Sequence, residues 1–122
     1  MQNITIWHNP RCSKSRQALE ILQNHGATLS IRRYLDDPPT PDEIRNVLQC
    51  LGGPPEQAIR RKEESFQVAG LGDESLSIDD KCKKMAAFPK VIERPIVFVD
   101  GDAIIARPPE KLHTWLDALG DK

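Results

Sequence analysis

The sequence predicts an α/β protein built around a small mixed β-sheet, and three observations support this. A short alternating strand, Asn3 to Trp7, runs into a helical pattern and then into a second alternating strand, which is the order βαβ. Near the other end, two strands joined by a turn are followed by a helix, which is the order ββα. Between them, about residues 40–88 show only helical patterns. We therefore expect one domain, 1–122, with that helical stretch as an insertion.

The N-terminal βαβ unit is predicted from alternation and helical spacing. Two isoleucines alternate with other residues in the first strand, and the helix runs from the Cys12 loop to about His25, where Gly26 ends it. Its predicted inner face carries Ser15, Ala18, Leu19 and Leu22. Thr28 to Tyr34 alternates again, and a strand, helix and strand in this order most often give two parallel strands.

Capping residues mark the helix starts in the middle of the chain. Thr40-Pro41-Asp42-Glu43 combines an N-cap threonine, a proline in the first turn and a capping-box glutamate. Ser77 to Asp80 opens a second helix, which carries Cys82 on its apolar face. Weaker patterns predict a short helix through Ala58 and another from Glu63 to Leu71.

The C-terminal ββα unit has a strong turn signal. Ile96 to Val99 is a continuous apolar run, Asp100-Gly101 is typical of a hairpin turn, and Ala103 to Ala106 supplies the return strand. The last helix places Leu112, Trp115, Leu116 and Leu119 at core spacing. The complete order is that of a three-layer thioredoxin-like fold, in which an attacking thiol lies at the start of the first helix. Such a topology does not by itself establish a function.

Composition narrows the classes of function. With 17 basic and 18 acidic side chains the net charge is −1, so we expect neither nucleic acid nor a membrane surface as partner. No apolar run approaches a membrane span and the N-terminus is unlike a secretory signal, which predicts a cytoplasmic protein. Three widely spaced cysteines and three scattered histidines favour neither a disulfide framework nor a bound metal.

Cys12 is the first candidate for chemistry. It lies where the loop after the first strand meets the first helix, and there the free backbone N–H groups and the helix dipole favour a thiolate over a thiol. Further positive charge is supplied by Arg11, Lys14 and Arg16. By contrast, Cys50 and Cys82 lie on or beside apolar helix faces, and we expect both to be buried core residues.

Nearby residues restrict what Cys12 can do. Redox loops of the thioredoxin type use Cys-x-x-Cys, but the second place is Ser15, so a disulfide at Cys12 needs a thiol from another molecule. Low-molecular-weight tyrosine phosphatases need an arginine six residues after the cysteine, where this chain has Ala18. His8, four residues before the thiol, is expected either to lower the pKa of the thiol or to order the loop.

Three arginines at the ends of distant elements are candidates for binding an anion. Arg60 follows a short helix, Arg94 directly precedes Pro95 and a strand, and Arg107 follows the last strand. Singly, each is typical of a solvated surface charge. As a set on one side of a small sheet, they would suit a tetrahedral oxyanion, because guanidinium groups bind its oxygens bidentately.

Four motifs extend over nearly the whole chain. They are Ile-Thr-Ile-x-His8-Asn-Pro-x-Cys12-x-x-Ser15-Arg16, Tyr34-Leu-x-x-Pro-Pro39, Arg60-x-x-x-Glu64, and Arg94-Pro95-Ile-Val with Arg107-Pro108. In combination they resemble those of the glutaredoxin-coupled arsenate reductases. The resemblance implies a thioredoxin-like fold with a helical insertion, and a structural cis-proline at Pro95.

The same resemblance implies an activity and the residues that carry it. Cys12 would attack arsenate, His8 and Ser15 would help hold the thiolate, and the oxyanion would be bound by Arg60, Arg94 and Arg107. Arsenate would be reduced to arsenite through a covalent intermediate on Cys12, which glutathione and then glutaredoxin resolve. Glutathione is thus implied as a co-substrate and glutaredoxin as a partner, with no bound cofactor.

Arg11 and Lys14 depart from the small residues expected in this loop, which leaves another anion or thiol substrate open. Two other functions also stay open. One is a regulator resembling Spx that binds RNA polymerase, although such proteins usually carry Cys-x-x-Cys. The other is a general glutathione-linked thiol oxidoreductase, which would not depend on Arg94 or Arg107.

Overall fold

The computed structural model describes residues 3–26, 28–99 and 101–120. The chain divides into two compact units: the first combines Met1–Arg33 with Arg94–Lys122, and the second spans Tyr34–Glu93. The second unit extends beyond the predicted helical insertion at both ends. A single domain, 1–122, stays a prediction.

The first unit contains a mixed four-stranded sheet. Its strands are β1 (Asn3–Trp7), β2 (Thr28–Arg32), β3 (Ile96–Val99) and β4 (Asp102–Ile105). Their order is β2-β1-β3-β4. β2 runs parallel to β1, whereas β3 runs antiparallel to both β1 and β4. The predicted α/β class with a small mixed sheet is therefore confirmed.

Two strand boundaries differ from the prediction. β2 ends at Arg32 and not at Tyr34, because its partner β1 ends opposite it at Trp7. β4 starts and ends one residue earlier than predicted. Gly101 turns the chain with a φ of 83°, a left-handed conformation that glycine adopts without steric cost. Asp100, the other residue of the predicted turn, lies outside the described residues.

Two helices, α1 (Ser13–His25) and α5 (Lys111–Gly120), complete the core of the first unit. α1 ends at Gly26, which has a φ of 82°. The buried cluster consists of Ile4, Ile6, Ala18, Leu22, Val97, Val99, Ala106, Leu112, Trp115 and Leu116. Each fully buried valine, leucine or isoleucine side chain stabilises the fold by about 1.5–3 kcal/mol relative to an exposed one. Through Ala18 and Leu22 the cluster packs α1, whose N-cap residue is Cys12, against the sheet.

The second unit is mainly helical. Its α-helices are α2 (Pro41–Leu51), α3 (Glu64–Val68) and α4 (Ile78–Ala87), with short 3-10 helices at Pro55–Ala58 and Pro89–Val91. The predicted capping box forms between Thr40 and Glu43, and a second one, which was not predicted, joins Ser77 and Asp80 at the start of α4. α2 packs against α4, and an isolated antiparallel bridge joins Ile59 to Ile92.

Among residues 3–26, 28–99 and 101–120, no helix is both long enough and apolar enough to cross a membrane.

Candidate active site

The loop between β1 and α1 is closed by its own hydrogen bonds. The backbone carbonyl of Asn9 accepts from the Cys12 N–H at 3.0 Å, and its side-chain Oδ1 accepts from the Arg11 N–H at 3.0 Å. Arg16 Nη1 donates to the Pro10 carbonyl at 2.9 Å, which ties the first turn of α1 back to the loop. Cys12 is thereby held as the N-cap residue of α1, with an extended backbone.

The Cys12 thiol lies in surroundings that favour its ionised form. Its side chain makes no regular capping hydrogen bond. Partial burial raises the pKa of the thiol, but the backbone N–H of Ser15, the Arg94 side chain and the backbone N–H of Lys14 act against this effect. Together they lower the pKa of Cys12 below its ordinary value. The cation that acts on the sulfur, Arg94, lies far from Cys12 in the sequence.

His8 and Ser15 form a buried pair beside this loop. His8 Nδ1 lies 2.7 Å from Ser15 Oγ, and the same Oγ accepts from the Asn9 N–H at 3.0 Å. Burial lowers the pKa of His8, and the charges of Arg33 and Arg16 lower it further. The imidazole is therefore neutral at pH 7, and of its two expected roles, ordering the loop is the one that this geometry supports.

The Ser15 hydroxyl is engaged by His8 and Asn9, and the interaction of Ser15 with the sulfur runs through its backbone N–H. A hydroxyl proton directed at Nδ1 is compatible with a neutral ring protonated on Nε2. The side chain of Ser15 thus supports the loop, while its main chain acts on the thiol.

Two arginines of the first unit lie near this loop and near each other. The Arg94 side chain interacts with the Cys12 sulfur, and Arg107 Nη1 donates to the Arg94 carbonyl at 3.4 Å. The peptide bonds that precede Pro95 and Pro108 are both cis. The Pro95 carbonyl accepts from the Ala106 N–H at 3.0 Å, which joins the two arginine-bearing segments. Of the predicted site residues, the structure therefore brings together Cys12, His8, Ser15, Arg94 and Arg107.

Arg60 belongs to the second unit. Its Nη1 forms an ion pair with Glu63 Oε2 at 3.1 Å and donates to the Lys90 carbonyl at 3.4 Å. These contacts hold the Arg60 guanidinium against neighbours within the second unit. That Arg60 joins Arg94 and Arg107 at one anion stays a prediction.

The other cysteines differ from each other. Cys82 is buried as predicted, and its burial raises the pKa of its thiol. Cys50 is only half-buried, so the prediction of a core position was wrong for it: it lies at the edge of the apolar face of α2. In the described part of the chain, no group of three or more His, Cys, Asp or Glu side chains is placed to hold a metal ion.

Asn9 is the residue that sequence reasoning missed. It accepts through both its backbone and its side chain, and its own N–H donates to Ser15. The signal was present in the Asn-Pro pair, because asparagine side chains commonly bond to the backbone two residues further on and begin a turn.

The fold and this loop define a thioredoxin-like protein with a single cysteine at the start of its first helix. The model of the ArsC family matches residues 7–115. An arsenate reductase of Neisseria meningitidis is 37% identical over 117 residues, which cover 95% of this chain and 100% of that protein. The chain therefore belongs to the ArsC family.

A further relative and a solved structure are also similar to this chain. An arsenate reductase of Escherichia coli is 35% identical over 121 residues, which cover 99% of this chain and 84% of that protein. The solved structure of an arsenate reductase from Vibrio cholerae superposes with a TM-score of 0.84 at 40% identity, covering 90% of this chain and 94% of that one. The thioredoxin-like fold is thus confirmed.

Proposed function

We propose that this protein reduces arsenate to arsenite, using Cys12 as the nucleophile and external thiols as the reductant. The observation that carries the proposal is the Cys12 thiol, whose pKa is lowered at the start of α1 and whose sulfur interacts with the Arg94 side chain. A thiolate beside a guanidinium suits an anionic electrophile. The family supports arsenate as that electrophile, because relatives at 35–37% identity are named arsenate reductases.

In the first step the anion binds and forms a covalent bond with the protein. Arg94 and Arg107 bind the oxygens of arsenate and offset its charge. The Cys12 thiolate attacks arsenic, a sulfur–arsenic bond forms, and one oxygen leaves as water after protonation. Arsenic is still As(V) at this stage, so no electrons have yet been transferred.

The reduction needs a second thiol, and none lies in the Cys12 loop, where Ser15 takes the second place. Glutathione thiolate attacks the Cys12 sulfur, and the electron pair of the sulfur–arsenic bond passes to arsenic, which leaves as arsenite, As(III). A mixed disulfide remains on Cys12. Glutaredoxin attacks the glutathione sulfur of that disulfide and releases the Cys12 thiolate. Glutathione is thus a co-substrate, and the reaction belongs in a reducing compartment such as the cytoplasm.

A coupled assay tests this proposal. Purified protein is mixed with arsenate, glutathione, a dithiol glutaredoxin, glutathione reductase and NADPH, and arsenite is quantified by chromatography alongside NADPH oxidation. We expect arsenite to form with the wild type, none with Cys12→Ser, and an almost unchanged rate with the matched control Cys50→Ser. Absence of arsenite with the wild type would refute the proposal.

The same assay separates the two rival functions. For an arsenate reductase, Arg107→Gln should raise the KM for arsenate about tenfold or more, because a charge-assisted hydrogen bond is lost. A general thiol oxidoreductase would instead reduce a glutathionylated peptide at a rate independent of Arg107. Recovery of RNA polymerase on the immobilised protein, without arsenate turnover, would favour a regulator.

A further inference from the structure

Four basic residues near Cys12 have no part in the proposed binding of arsenate. We name them the cationic rim: Arg11, Lys14, Arg16 and Arg33. All belong to the first unit, and all are exposed except Lys14, which is half-buried. The first turn of α1 contains no acidic residue. None of the four forms an ion pair with a carboxylate of residues 3–26, 28–99 or 101–120.

Three residues of the cationic rim belong to the loop that carries Cys12 and to the start of α1. Arg11 directly precedes Cys12, and its backbone N–H is held by Asn9 Oδ1. The backbone N–H of Lys14 interacts with the Cys12 sulfur, which places this residue at the same helix start. Arg16 is tied to the Pro10 carbonyl on the other side of the loop.

Arg33 completes the cationic rim from the end of β2. Its charge and that of Arg16 both act on the buried imidazole of His8. The backbone N–H of His8 donates to the backbone carbonyl of Arg32 at 2.7 Å. Arg32, the residue before Arg33, is thereby bonded to the start of the Cys12 loop. The cationic rim therefore lies beside the loop that carries the half-buried Cys12, and within the described part of the chain it forms no ion pair with a carboxylate.

The proposed reaction includes a step in which the charge of the cationic rim can act, namely the approach of an external thiol. Since Ser15 replaces a resolving cysteine, a thiol must reach Cys12 from outside, after the oxyanion has occupied Arg94 and Arg107. The charges of the cationic rim act on any charged thiol that approaches this loop. Fixed charges around a reactive centre raise the encounter rate of oppositely charged molecules and lower that of like-charged ones.

We propose that the cationic rim selects the thiol that reacts at Cys12, favouring small thiols and disulfides that carry carboxylates over neutral or cationic ones. This inference rests on the proposed function only in taking Cys12 as the reacting thiol. Arg11 and Lys14 are its main determinants, because Arg16 also braces the loop and Arg33 acts from a neighbouring strand end.

Thiol–disulfide exchange isolates this selectivity from arsenate chemistry. The Cys12 thiolate attacks one sulfur of a symmetrical disulfide, a new disulfide to Cys12 forms, and the other half leaves as a thiolate that takes up a proton. The Cys12 sulfur is oxidised and the leaving sulfur is reduced, so no further reagent is required. Neither arsenate nor glutaredoxin takes part.

The experiment compares three disulfides of different charge: dithiodipropionate, which is anionic, bis(2-hydroxyethyl) disulfide, which is neutral, and cystamine, which is cationic. Second-order rate constants for Cys12 are measured by mass spectrometry of the modified peptide. Each is divided by the rate constant of the same disulfide with 2-mercaptoethanol, which corrects for differences between leaving groups. The full chain is used at low and at high salt, about 20 mM and about 500 mM.

We expect the normalised rate for the anionic disulfide to exceed that for cystamine about tenfold at low salt, and the ratio to fall towards one at high salt. Arg11→Gln/Lys14→Gln should reduce the ratio several-fold and leave the rate with the neutral disulfide unchanged. The matched control Arg11→Lys/Lys14→Arg keeps both charges and should keep the ratio.

Two results would overturn the inference. One is an equal normalised rate for all three disulfides in the wild type. The other is a preference for the anion that the glutamine variant retains in full. Because the measurement contains no arsenate, a failure of the arsenate assay does not affect it, and the two proposals can fail separately.

Discussion

His8 Nδ1 and Ser15 Oγ lie 2.7 Å apart, and both residues are buried. One residue follows the end of β1 and the other lies in the first turn of α1, so this contact spans the loop that carries Cys12. Asn9 donates its N–H to the same oxygen. The serine that replaces a second cysteine thus has a structural task of its own, which is to fix the loop.

Replacement of Ser15 by alanine should mainly affect stability. The change leaves the buried Nδ1 of His8 and the N–H of Asn9 without their hydrogen-bond partner, and such a loss costs about 1–3 kcal/mol. Urea unfolding of Ser15→Ala should therefore show a lower free energy of unfolding by that amount. Ser13→Ala, an exposed position of the same turn, is the control and should change it by less than about 0.5 kcal/mol. Equal stability of the two variants would contradict this role.

Arg94 should control the pKa of the Cys12 thiol. Arg94→Gln removes both a hydrogen bond to the sulfur and a positive charge beside it, and both lower the pKa in the wild type. The pH profile of iodoacetamide alkylation at Cys12, followed by peptide mass spectrometry, should shift to higher pH in this variant. Arg11→Gln is the control and should keep the wild-type profile. A profile unchanged in Arg94→Gln would show that the helix start alone activates the thiol.

The buried His8 should make the protein less stable in mild acid. Burial lowers the pKa of His8 in the folded state, so below the ordinary value of 6.5 the unfolded chain binds a proton that the folded chain does not. Stability is therefore lost as the pH falls through 6.5 towards the lower folded value, by at most about 1.4 kcal/mol per pH unit.

Chemical unfolding at a series of pH values between about 7 and 5 measures this slope. His8→Gln removes the titrating group and should flatten the curve in this range. His113→Gln replaces an exposed imidazole and should retain the wild-type slope. An identical slope in the wild type and His8→Gln would assign the acid sensitivity to other groups.

The three cysteines should react in a fixed order. Cys12 has a lowered pKa and partial exposure, Cys50 is half-buried, and Cys82 is buried with a raised pKa. Because alkylation requires an accessible thiolate, iodoacetamide at pH 7 should modify Cys12 first, Cys50 more slowly and Cys82 only on unfolding. Modification of Cys82 at a rate near that of Cys12 would contradict its burial.

The capping box of α2 gives a test within the second unit. Thr40 Oγ1 accepts from the Glu43 N–H at 3.2 Å, and Glu43 Oε1 accepts from the Thr40 N–H at 2.9 Å. Thr40→Ala should lower the free energy of unfolding by about 1 kcal/mol. Thr40→Ser keeps a hydroxyl at the N-cap and should retain most of this contribution. Thermal unfolding followed by circular dichroism compares the two.

Local sequence patterns were sufficient for most of the secondary structure. Strand alternation, the capping box at Thr40, the helix start at Ser77 and the glycine after α1 act over a few residues. Each of these elements forms, although β2 and β4 differ from the prediction at their ends. The position of Cys12 at the start of α1 follows from the same local rules. Cys50 departs from its prediction because helical spacing alone does not say where the edge of a buried face lies.

The candidate site depends on contacts between distant parts of the chain. Nothing local to Cys12 indicates that Arg94 supplies the largest charge effect on its sulfur, or that Arg107 bonds to the Arg94 carbonyl. Arg94 and Arg107 lie near the loop between β1 and α1 because β3 pairs with β1 and with β4. These pairings bring the segments that follow Glu93 and Ile105 close to that loop. Residue type and spacing therefore determined which groups are available for chemistry. Sheet pairing decided which of them share one site, because hydrogen bonds act over about 3 Å and charge effects on a pKa are largely screened in water beyond about 10 Å.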